Sequence, residues 1–305
     1  MPRRGSRSAR QILARIRARR ILHAYLFVAP IILLFGIFRV VPSVQTLLFS
    51  FYKVELLRGR FTFIGLDNFR ALLTDEIFRK ATVNTLVYVA AIVPISAILG
   101  LVLAVLFNAR FRLQEFFKAV YFAPMVTSTA AAAMVWWWLY NPQFGLFNVL
   151  LRLVRIPDQP WLMSSHMALP SIIIFSVWKS LGYNMIIYLA GLQAIPAQFY
   201  EAATIDGATA FGRFWRISAP LLAPTTTFIL IYNSIMAFQV FDQVFVLTGG
   251  GPANSTNVVV LDIYRQAFER YNFGYAAAEA MVLFVFIMGV TVLQYVYSKR
   301  FEVAY

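Results

Sequence analysis

The amino-acid sequence predicts an all-α integral membrane protein with six transmembrane helices. Hydrophobic residues make up 60% of the chain and charged residues only 13%. A soluble domain of this composition would expose large apolar patches to water, whereas a bilayer is itself a solvent for apolar surface. The apolar segments are long and do not alternate with polar residues, which favours helices over the strands of a membrane barrel.

Each predicted helix corresponds to an apolar segment near the ~20 residues that cross the hydrocarbon core. In chain order the six lie within Leu22–Phe51, Val83–Phe107, Ala119–Tyr140, Met167–Ile195, Ala219–Leu247 and Tyr275–Tyr297. They form one transmembrane domain over residues 24–300, preceded by a basic tail at 1–23 and followed by a short end at 301–305.

The basic tail sets the predicted orientation. It holds eight arginines, which are Arg3, Arg4, Arg7, Arg10, Arg15, Arg17, Arg19 and Arg20. Basic residues beside a first span stay in the cytoplasm and bind anionic headgroups, so an arm for nucleic acid is the weaker interpretation. Because an even number of spans returns the chain to its starting side, both termini are predicted to be cytoplasmic.

The sequence lacks the residues that a metal site or a nucleotide-binding site would need. The chain has no cysteine and only two histidines, His23 and His166, which lie far apart, so no metal site is predicted. No G-x-x-x-x-G-K-[ST] motif is present to hold ATP phosphates, and no cofactor is expected in this chain. The run Gly249–Gly251 lacks a following Lys-Ser or Lys-Thr and predicts an outside turn instead.

The cytoplasmic segment between the fourth and fifth spans, at about 195–220, predicts two short helices. Pro196 favours a first helical position, Glu201 lies near the positive end of the helix dipole, and Gly207 suits a left-handed cap. In the second helix the spacing places aromatic side chains on one face, namely Phe211, Phe214 and Trp215. Such a knob suits docking by a soluble partner, and a loop lying on lipid headgroups fits the same residues.

The same segment contains a motif, spread over Glu201-Ala202-Ala203, Asp206-Gly207-Ala208, Ile217 and Pro220-Leu221. It resembles the EAA loop of permease subunits in binding-protein-dependent ABC importers. Further runs resemble the carbohydrate-uptake, maltose-permease-like members of that family: Phe63–Phe69, Trp178-Lys179, Gly182-Tyr183-Asn184, Leu192–Pro196, Thr248–Pro252 and Asn272–Ala277. The resemblance covers nearly the whole chain, and the departure at Ala219, where leucine is usual, is small.

The resemblance implies a type I ABC importer transmembrane-domain fold with a coupling helix that docks in a cleft of an ATPase subunit. Coupling contacts are then expected at Glu201, Ala202, Ala203, Asp206, Gly207 and Phe211, with Glu201 pairing a basic residue of the ATPase. The expected partners are a second permease subunit in a heterodimer, two copies of a cytoplasmic ABC ATPase and an extracytoplasmic solute-binding protein. ATP and Mg²⁺ would bind the ATPase, and the complex would lie in a bacterial or archaeal inner membrane.

Polar residues inside the spans are candidates for the solute pathway, because they are costly to place in hydrocarbon. Ser176, Lys179 and Tyr183 share one helical face of the fourth span, and the resemblance adds Asn233 on the fifth. A sugar or oligosaccharide moved by alternating access is the leading solute, with glycerol phosphate or another polyol derivative as the alternative. An ion pair with Asp242 is an equally good explanation of Lys179.

The remaining polar and aromatic residues have simpler interpretations. Trp136–Trp138 and Tyr140 predict an interfacial belt, and Arg39 is expected to extend to the outer interface. Interhelical hydrogen bonds are predicted for Gln239 and Gln243, and Glu279 is expected to cap or pack the outer end of the sixth span. An ion-coupled secondary transporter is disfavoured because Asp242 alone lies deep, and an intramembrane enzyme because no catalytic set converges.

The orientation is testable because every introduced cysteine is unique in this cysteine-free chain. Ser6→Cys and Ser298→Cys should react only with thiol reagents that cross the membrane. Ser164→Cys should react in intact cells with an impermeant reagent, and the unmodified chain should remain unlabelled. Labelling of Ser6→Cys by the impermeant reagent would reverse the predicted topology.

Overall fold

The computed structural model describes residues 25–55, 59–109 and 112–299. The predicted basic tail at 1–23 and the C-terminal end at 301–305 lie outside the described residues. The helices are α1 Tyr25–Phe49, α2 Asp67–Thr74, α3 Glu76–Asn108, α4 Gln114–Val126, α5 Thr129–Leu139, α6 Leu146–Leu153, α7 Ala168–Ala194, α8 Ala197–Ile205, α9 Ala210–Leu221, α10 Ala223–Phe238, α11 Asp242–Leu247, α12 Val259–Tyr264 and α13 Phe273–Ser298. One antiparallel hairpin joins β1, Tyr52–Glu55, to β2, Arg60–Phe63.

Among the described residues, four helices are long and apolar enough to cross a membrane without a break, namely α1, α3, α7 and α13. Two sharply bent pairs, α4 with α5 and α9 with α10, pass the same test together. Counting each bent pair as one span gives the six that the sequence predicts. The hairpin is an addition to the predicted all-α architecture, and it lies in the loop after the first span.

The third span is not the continuous helix predicted over Ala119–Tyr140. Its two halves meet at an angle of 102°, with Thr127 and Ser128 in extended conformations at the corner. Pro124 in the last turn of α4 has no N–H to donate, which weakens the helix just before this corner. The bend leaves backbone carbonyls without helical partners, and Lys179 of α7 donates to two of them, Pro124 O at 2.9 Å and Thr127 O at 2.9 Å.

The fifth span also departs from the prediction, which was one helix over Ala219–Leu247. The chain bends by 64° between α9 and α10, where Pro224 cannot donate to the carbonyl of Pro220. The helix then stops at Phe238 instead of continuing to Leu247, and a new short helix begins at Asp242.

The second span begins seven residues earlier than the predicted Val83, at Glu76. Asp75 caps it, because its carboxylate accepts from Ile77 N at 2.7 Å and Phe78 N at 3.2 Å. The resulting 33-residue helix α3 packs along α7 at the centre of the bundle. Gly100 permits this approach, since a side chain there would collide with Asn184 of α7.

An aromatic cluster closes one end of the core and changes the interpretation of the predicted belt. Trp136 is only 9% exposed and packs edge-on against Phe175 and Tyr140. Tyr140 is buried and donates from its hydroxyl to Ser171 O at 2.8 Å. Trp137 and Trp138 are about half exposed, as an interfacial pair should be. Two of the four aromatic residues are therefore core residues.

The outward faces of the bundle are apolar. In α1 none of the residues in the most hydrophobic window is buried, and its Leu, Ile and Phe side chains are exposed. Arg39, within α1, is exposed as well. A surface of this kind is stable in contact with lipid or with another apolar subunit, and not with water.

The contacts of Lys179 predict a structural contribution. Lys179→Met should lower the free energy of unfolding of the complex by about 1–3 kcal/mol. Thr127 O loses the donor that Lys179 supplies, and Pro124 O keeps only the Thr127 hydroxyl, at 2.7 Å. Lys118→Met is the matched control, since Lys118 pairs only with the largely exposed Glu115 and should change stability by less than about 1 kcal/mol. Equal melting temperatures for the two variants would show that the corner does not depend on Lys179.

Candidate functional site: a polar cavity and a helical loop between two spans

A polar cavity of about 290 Å³ lies between α3, α5, α7, α10 and α11. The cavity lies where the fourth span, α7, packs beside the two broken spans. The breaks in those spans are therefore next to the cavity. Its lining includes six polar groups from four helices and the end of a fifth: Tyr88 and Ser96 of α3, Thr129 of α5, Ser180 of α7, Asp242 of α11, and Gln239 just after α10. Because apolar side chains cover the outside of the bundle, this is a polar volume inside an apolar protein.

Three of the four predicted pathway residues line this cavity: Ser176, Lys179 and Asn233. Tyr183, the fourth, lies outside the lining. Its ring packs against Tyr232 of α10 with the centroids 4.6 Å apart. The helical face that the sequence predicts on α7 is therefore divided between the cavity and a contact with α10.

Asn233 joins three helices at the cavity wall. Its amide nitrogen donates to Ser96 Oγ of α3 at 3.3 Å and to Asn184 Oδ1 of α7 at 3.2 Å. The amide nitrogen of Asn184 has no hydrogen-bond partner, although the side chain is fully buried. Ser96 was not predicted, because the predicted span Val83–Phe107 contains no charged residue and a single hydroxyl within it gives little signal.

Gln243 of α11 forms the interhelical hydrogen bonds that the sequence predicts for it. Its amide nitrogen donates to Tyr88 Oη of α3 at 3.0 Å and to Ser176 Oγ of α7 at 3.4 Å. Gln239 is different, because it is exposed at the cavity and makes no hydrogen bond to another helix among the described residues. The Gln243 amide thus joins the short helix α11 to α3 and α7 across the cavity. The Gln239 amide is exposed in the cavity.

The two charged side chains of the lining, Lys179 and Asp242, do not form the ion pair that the sequence allowed. The Lys179 ammonium binds the backbone carbonyls at the corner of the third span instead. Asp242 is exposed at the cavity at the start of α11. Within the described part of the chain it forms no direct ion pair, so its carboxylate is available to accept hydrogen bonds.

The segment after the fourth span, which the sequence predicts to be cytoplasmic, folds as a compact pair of helices. Pro196 precedes α8 and does not begin it, and Glu201 lies in the middle of α8 instead of near its N-terminus. The dipole argument for Glu201 was therefore wrong. Asp206 ends α8, and Gly207 follows with φ +72°, the left-handed cap that the sequence predicts.

Hydrogen bonds hold α8 and α9 together as one unit. Arg213 Nη1 donates to Thr204 Oγ1 at 3.1 Å, and the Thr209 hydroxyl caps α9 by accepting from Gly212 N at 3.1 Å. The Tyr200 and Ser218 hydroxyls are hydrogen-bonded at 2.9 Å. A rigid element of this kind can transmit a displacement applied at its surface.

The exposed face of this unit combines apolar side chains with two acidic groups. Phe211 is 75% exposed and Trp215 is 58% exposed, with ring centroids 6.1 Å apart. Glu201, Ala202 and Asp206 are also exposed, whereas Ala203 is half-buried. Glu201 makes no ion pair with another described residue, so its charge is available to a partner.

The glycine run Gly249–Gly251 forms the predicted turn. Gly249 and Gly250 both have positive φ, and the Arg265 guanidinium donates to Gly249 O. Two side chains of α3 hold the following residues, because Lys80 donates to Ala253 O at 2.6 Å and Asn84 to Asn254 O at 2.9 Å. These carbonyls face cations and amides of the protein itself. Within the described residues no group of three His, Cys, Asp or Glu side chains could hold a metal ion.

A family model for the inner membrane component of binding-protein-dependent transport systems matches residues 96–303. The chain belongs to this family. The match includes most of the cavity lining and the helical loop between the fourth and fifth spans, and it confirms the family that the EAA-like motif predicted. The protein is therefore a membrane-spanning permease subunit of an importer.

Curated relatives extend the likeness to nearly the full permease. One is the sn-glycerol-3-phosphate transport system permease UgpA of Agrobacterium fabrum, 35% identical over 90% of this chain and 94% of the relative. A second is the multiple sugar-binding transport system permease MsmF of Streptococcus mutans, 35% identical over 93% of this chain and 99% of the relative. A third is the trehalose/maltose transport system permease MalF of Thermococcus litoralis, 33% identical over 91% of this chain and 94% of the relative.

Among solved structures, the permease is similar to a chain of a bacterial ABC transporter involved in the import of the acidic polysaccharide alginate. The TM-score is 0.82 at 23% identity, and the match covers 95% of this chain and 99% of the other. This likeness confirms the transmembrane-domain fold of an ABC importer.

The cavity geometry gives a test of Asn233. Asn233→Ala removes a donor from the cavity wall and should raise the solute concentration for half-maximal uptake about tenfold, since a buried hydrogen-bond partner contributes ~1–3 kcal/mol. Ser234→Ala is the control, because Ser234 is equally buried on α10 but accepts from Gln294 at 2.8 Å, away from the cavity. Equal uptake by both variants, each assembled normally, would assign Asn233 to packing alone.

Proposed function

We propose that this permease moves a sugar or oligosaccharide across the membrane by alternating access, driven by ATP hydrolysis on a separate subunit. The observation that supports the solute class is the charge of the cavity. Among the described lining residues, Lys179 and Asp242 are the charged side chains, and the Lys179 ammonium is held by two backbone carbonyls. The carbonyls leave the positive charge of Lys179 in place but occupy two of its three N–H donors. Among the described lining residues, Asp242 is therefore the charged side chain that is more available to bind a solute.

A carboxylate beside neutral amides and hydroxyls suits a polyhydroxylated neutral solute. Asp242 can accept hydrogen bonds from two hydroxyls at once, and Gln239 supplies a donor and an acceptor next to it. The same carboxylate repels a phosphate group in a cavity of low dielectric. Glycerol phosphate, the solute named for the UgpA relatives, is the alternative, and it would require Lys179 to leave the carbonyls that it binds.

We propose that α8 and α9 form the coupling element and that Glu201, Ala202, Ala203, Asp206, Gly207 and Phe211 contact the ATPase. Two properties support this assignment: the unit is internally fastened, and its exposed face combines aromatic rings with an unpaired carboxylate. A basic residue of the ATPase would pair with Glu201, while a cleft would bury Phe211. ATP and Mg²⁺ would bind the ATPase, since this chain lacks a P-loop motif.

The proposed assembly contains a second permease subunit, two copies of a cytoplasmic ABC ATPase and an extracytoplasmic solute-binding protein, in a bacterial or archaeal inner membrane with both termini cytoplasmic. The unburied apolar face of α1 supports a large contact with lipid and with the second permease. One solved structure of the similar alginate transporter holds an alginate pentasaccharide-bound periplasmic protein, which supports a corresponding partner here.

The solute proposal is tested by competition for uptake in the reconstituted complex. Neutral oligosaccharides should compete with the solute that co-purifies with the binding protein, and glycerol phosphate should not. Asp242→Asn removes the repulsion and should weaken the discrimination against glycerol phosphate, while Asp158→Asn, an exposed acid outside the cavity, should leave it unchanged. Strong competition by glycerol phosphate in the unmodified complex would decide for the alternative.

The coupling proposal predicts that Glu201→Lys and Gly207→Pro abolish solute-stimulated ATPase activity and loosen ATPase binding. The first places like charges in the interface, where losing a buried charged pair costs ~2–5 kcal/mol, and the second cannot adopt the positive φ of the cap. Glu115→Lys is the control, because Glu115 is an exposed acid on the same predicted side. Wild-type stimulation in both loop variants would remove the loop from the coupling mechanism.

A further inference from the structure

Two carboxyl groups outside the cavity are buried without hydrogen-bond donors. Asp262 of α12 and Glu279 of α13 are both 0% exposed. All four of their carboxyl oxygens lack a hydrogen-bonding donor among the described residues, and the two groups lie side by side. Glu279 is the seventh residue of α13, so it is neither the helix cap nor the simple packing group that the sequence suggests.

Two adjacent carboxylates cannot both remain ionised in such a place. A buried charge without a partner is strongly destabilising, and a second like charge beside it adds repulsion. If one group is protonated, it becomes a donor and the other becomes its acceptor. A single proton then satisfies the pair, as in other sites where two carboxyl groups lie close together.

The surrounding groups do not supply the missing positive charge. Asp75, at the start of α3, is also acidic, and it already accepts from Tyr275 Oη at 2.7 Å and from two backbone N–H groups. Arg270 is exposed, so water screens its charge. Asn257 is fully buried beside Asp262, and its amide nitrogen has no partner, but it is uncharged. Arg265 is one hydrogen bond further away, because its guanidinium donates to Asn257 Oδ1 at 3.4 Å and to Gly249 O, and not to either carboxyl group of the pair.

We propose that Asp262 and Glu279 form a proton-binding site, in which one shared proton joins α12 to the outer part of α13 at neutral pH. Burial raises the pKa of Asp262 above its usual range, which agrees with retention of the proton on the pair. The described residues contain no third ligand that would make the pair a metal site. The site is separate from the solute cavity, and it does not depend on the proposed solute.

The proton links folding to pH. Above the ordinary pKa of a carboxyl group the unfolded chain releases this proton while the folded permease keeps it. Stability therefore falls as the pH rises, by about tenfold in the folding equilibrium per pH unit for one proton. The loss of stability ends at the pH at which the folded pair releases its own proton. Above that pH, two buried carboxylates repel each other and push α12 and α13 apart.

Glu279→Gln is the decisive variant, because its amide can donate to Asp262 without any proton being shared. In infrared spectra of the purified complex, the unmodified protein should show the C=O stretch of a protonated carboxylic acid, shifted in D₂O, and Glu279→Gln should lack it. Glu279→Gln should also lose about one proton from the pH dependence of the melting temperature. Asp158→Asn, which alters an exposed ion pair with Arg152, should keep both properties of the unmodified protein.

Three results would overturn the proposal. One is the absence of a protonated carboxyl band in the unmodified complex, and another is an unchanged band in Glu279→Gln. The third is stabilisation by sodium ions at fixed pH that Glu279→Gln abolishes, since the occupant would then be a metal cation. If Glu279→Gln does not assemble, Asp262→Asn replaces it, because its amide donates to Glu279 and should remove the same band.

Discussion

Polar groups inside this apolar bundle have to find their partners within the protein, because a bilayer offers them none. The Lys179 ammonium illustrates the constraint, since it binds carbonyls that the corner of the third span leaves free. The carbonyls at the break and the ammonium of Lys179 are thus hydrogen-bonding partners of each other. Without the corner the lysine would lose both of the carbonyls that it binds, and without the lysine Thr127 O would lose the donor that Lys179 supplies. The arrangement of the fourth span beside the two broken spans follows from this exchange.

The cavity is a consequence of the same geometry. Where a helix bends or stops, its neighbours cannot close over it with apolar side chains alone, and the wall contains amides and hydroxyls such as those of Asn233 and Gln243. These groups are bonded across helices, so the wall is defined by contacts between α3, α7, α10 and α11. A movement of one helix changes hydrogen bonds at the cavity. The rigid α8–α9 unit lies between α7 and α10 in the chain. A displacement of this unit can therefore move α7 or α10 and change the hydrogen bonds at the cavity.

The sequence predicts the unbroken helices well because composition and length decide them. The segment Met167–Ile195 corresponds closely to α7, since nothing in it interrupts a long apolar helix. The broken spans were not predicted, because hydropathy does not register a change of direction. Pro124 was a local signal of the corner, whereas the stop after Phe238 has no proline or glycine to announce it. The site was predicted in part for a similar reason: a buried lysine or asparagine is conspicuous in an apolar span, but Ser96 and Tyr88 become functional candidates only when packing places them beside Asn233 and Gln243.

The central claim is that the polar cavity is the solute pathway and opens to one side of the membrane at a time. Gln239 is exposed at this cavity, and the chain has no other cysteine to interfere, so Gln239→Cys reports access directly. An impermeant thiol reagent added outside should label it in only one of two conditions, with or without a non-hydrolysable ATP analogue bound to the complex. Reagent added from the cytoplasmic side should show the opposite dependence. Labelling that is equal in the two conditions from either side would contradict the account.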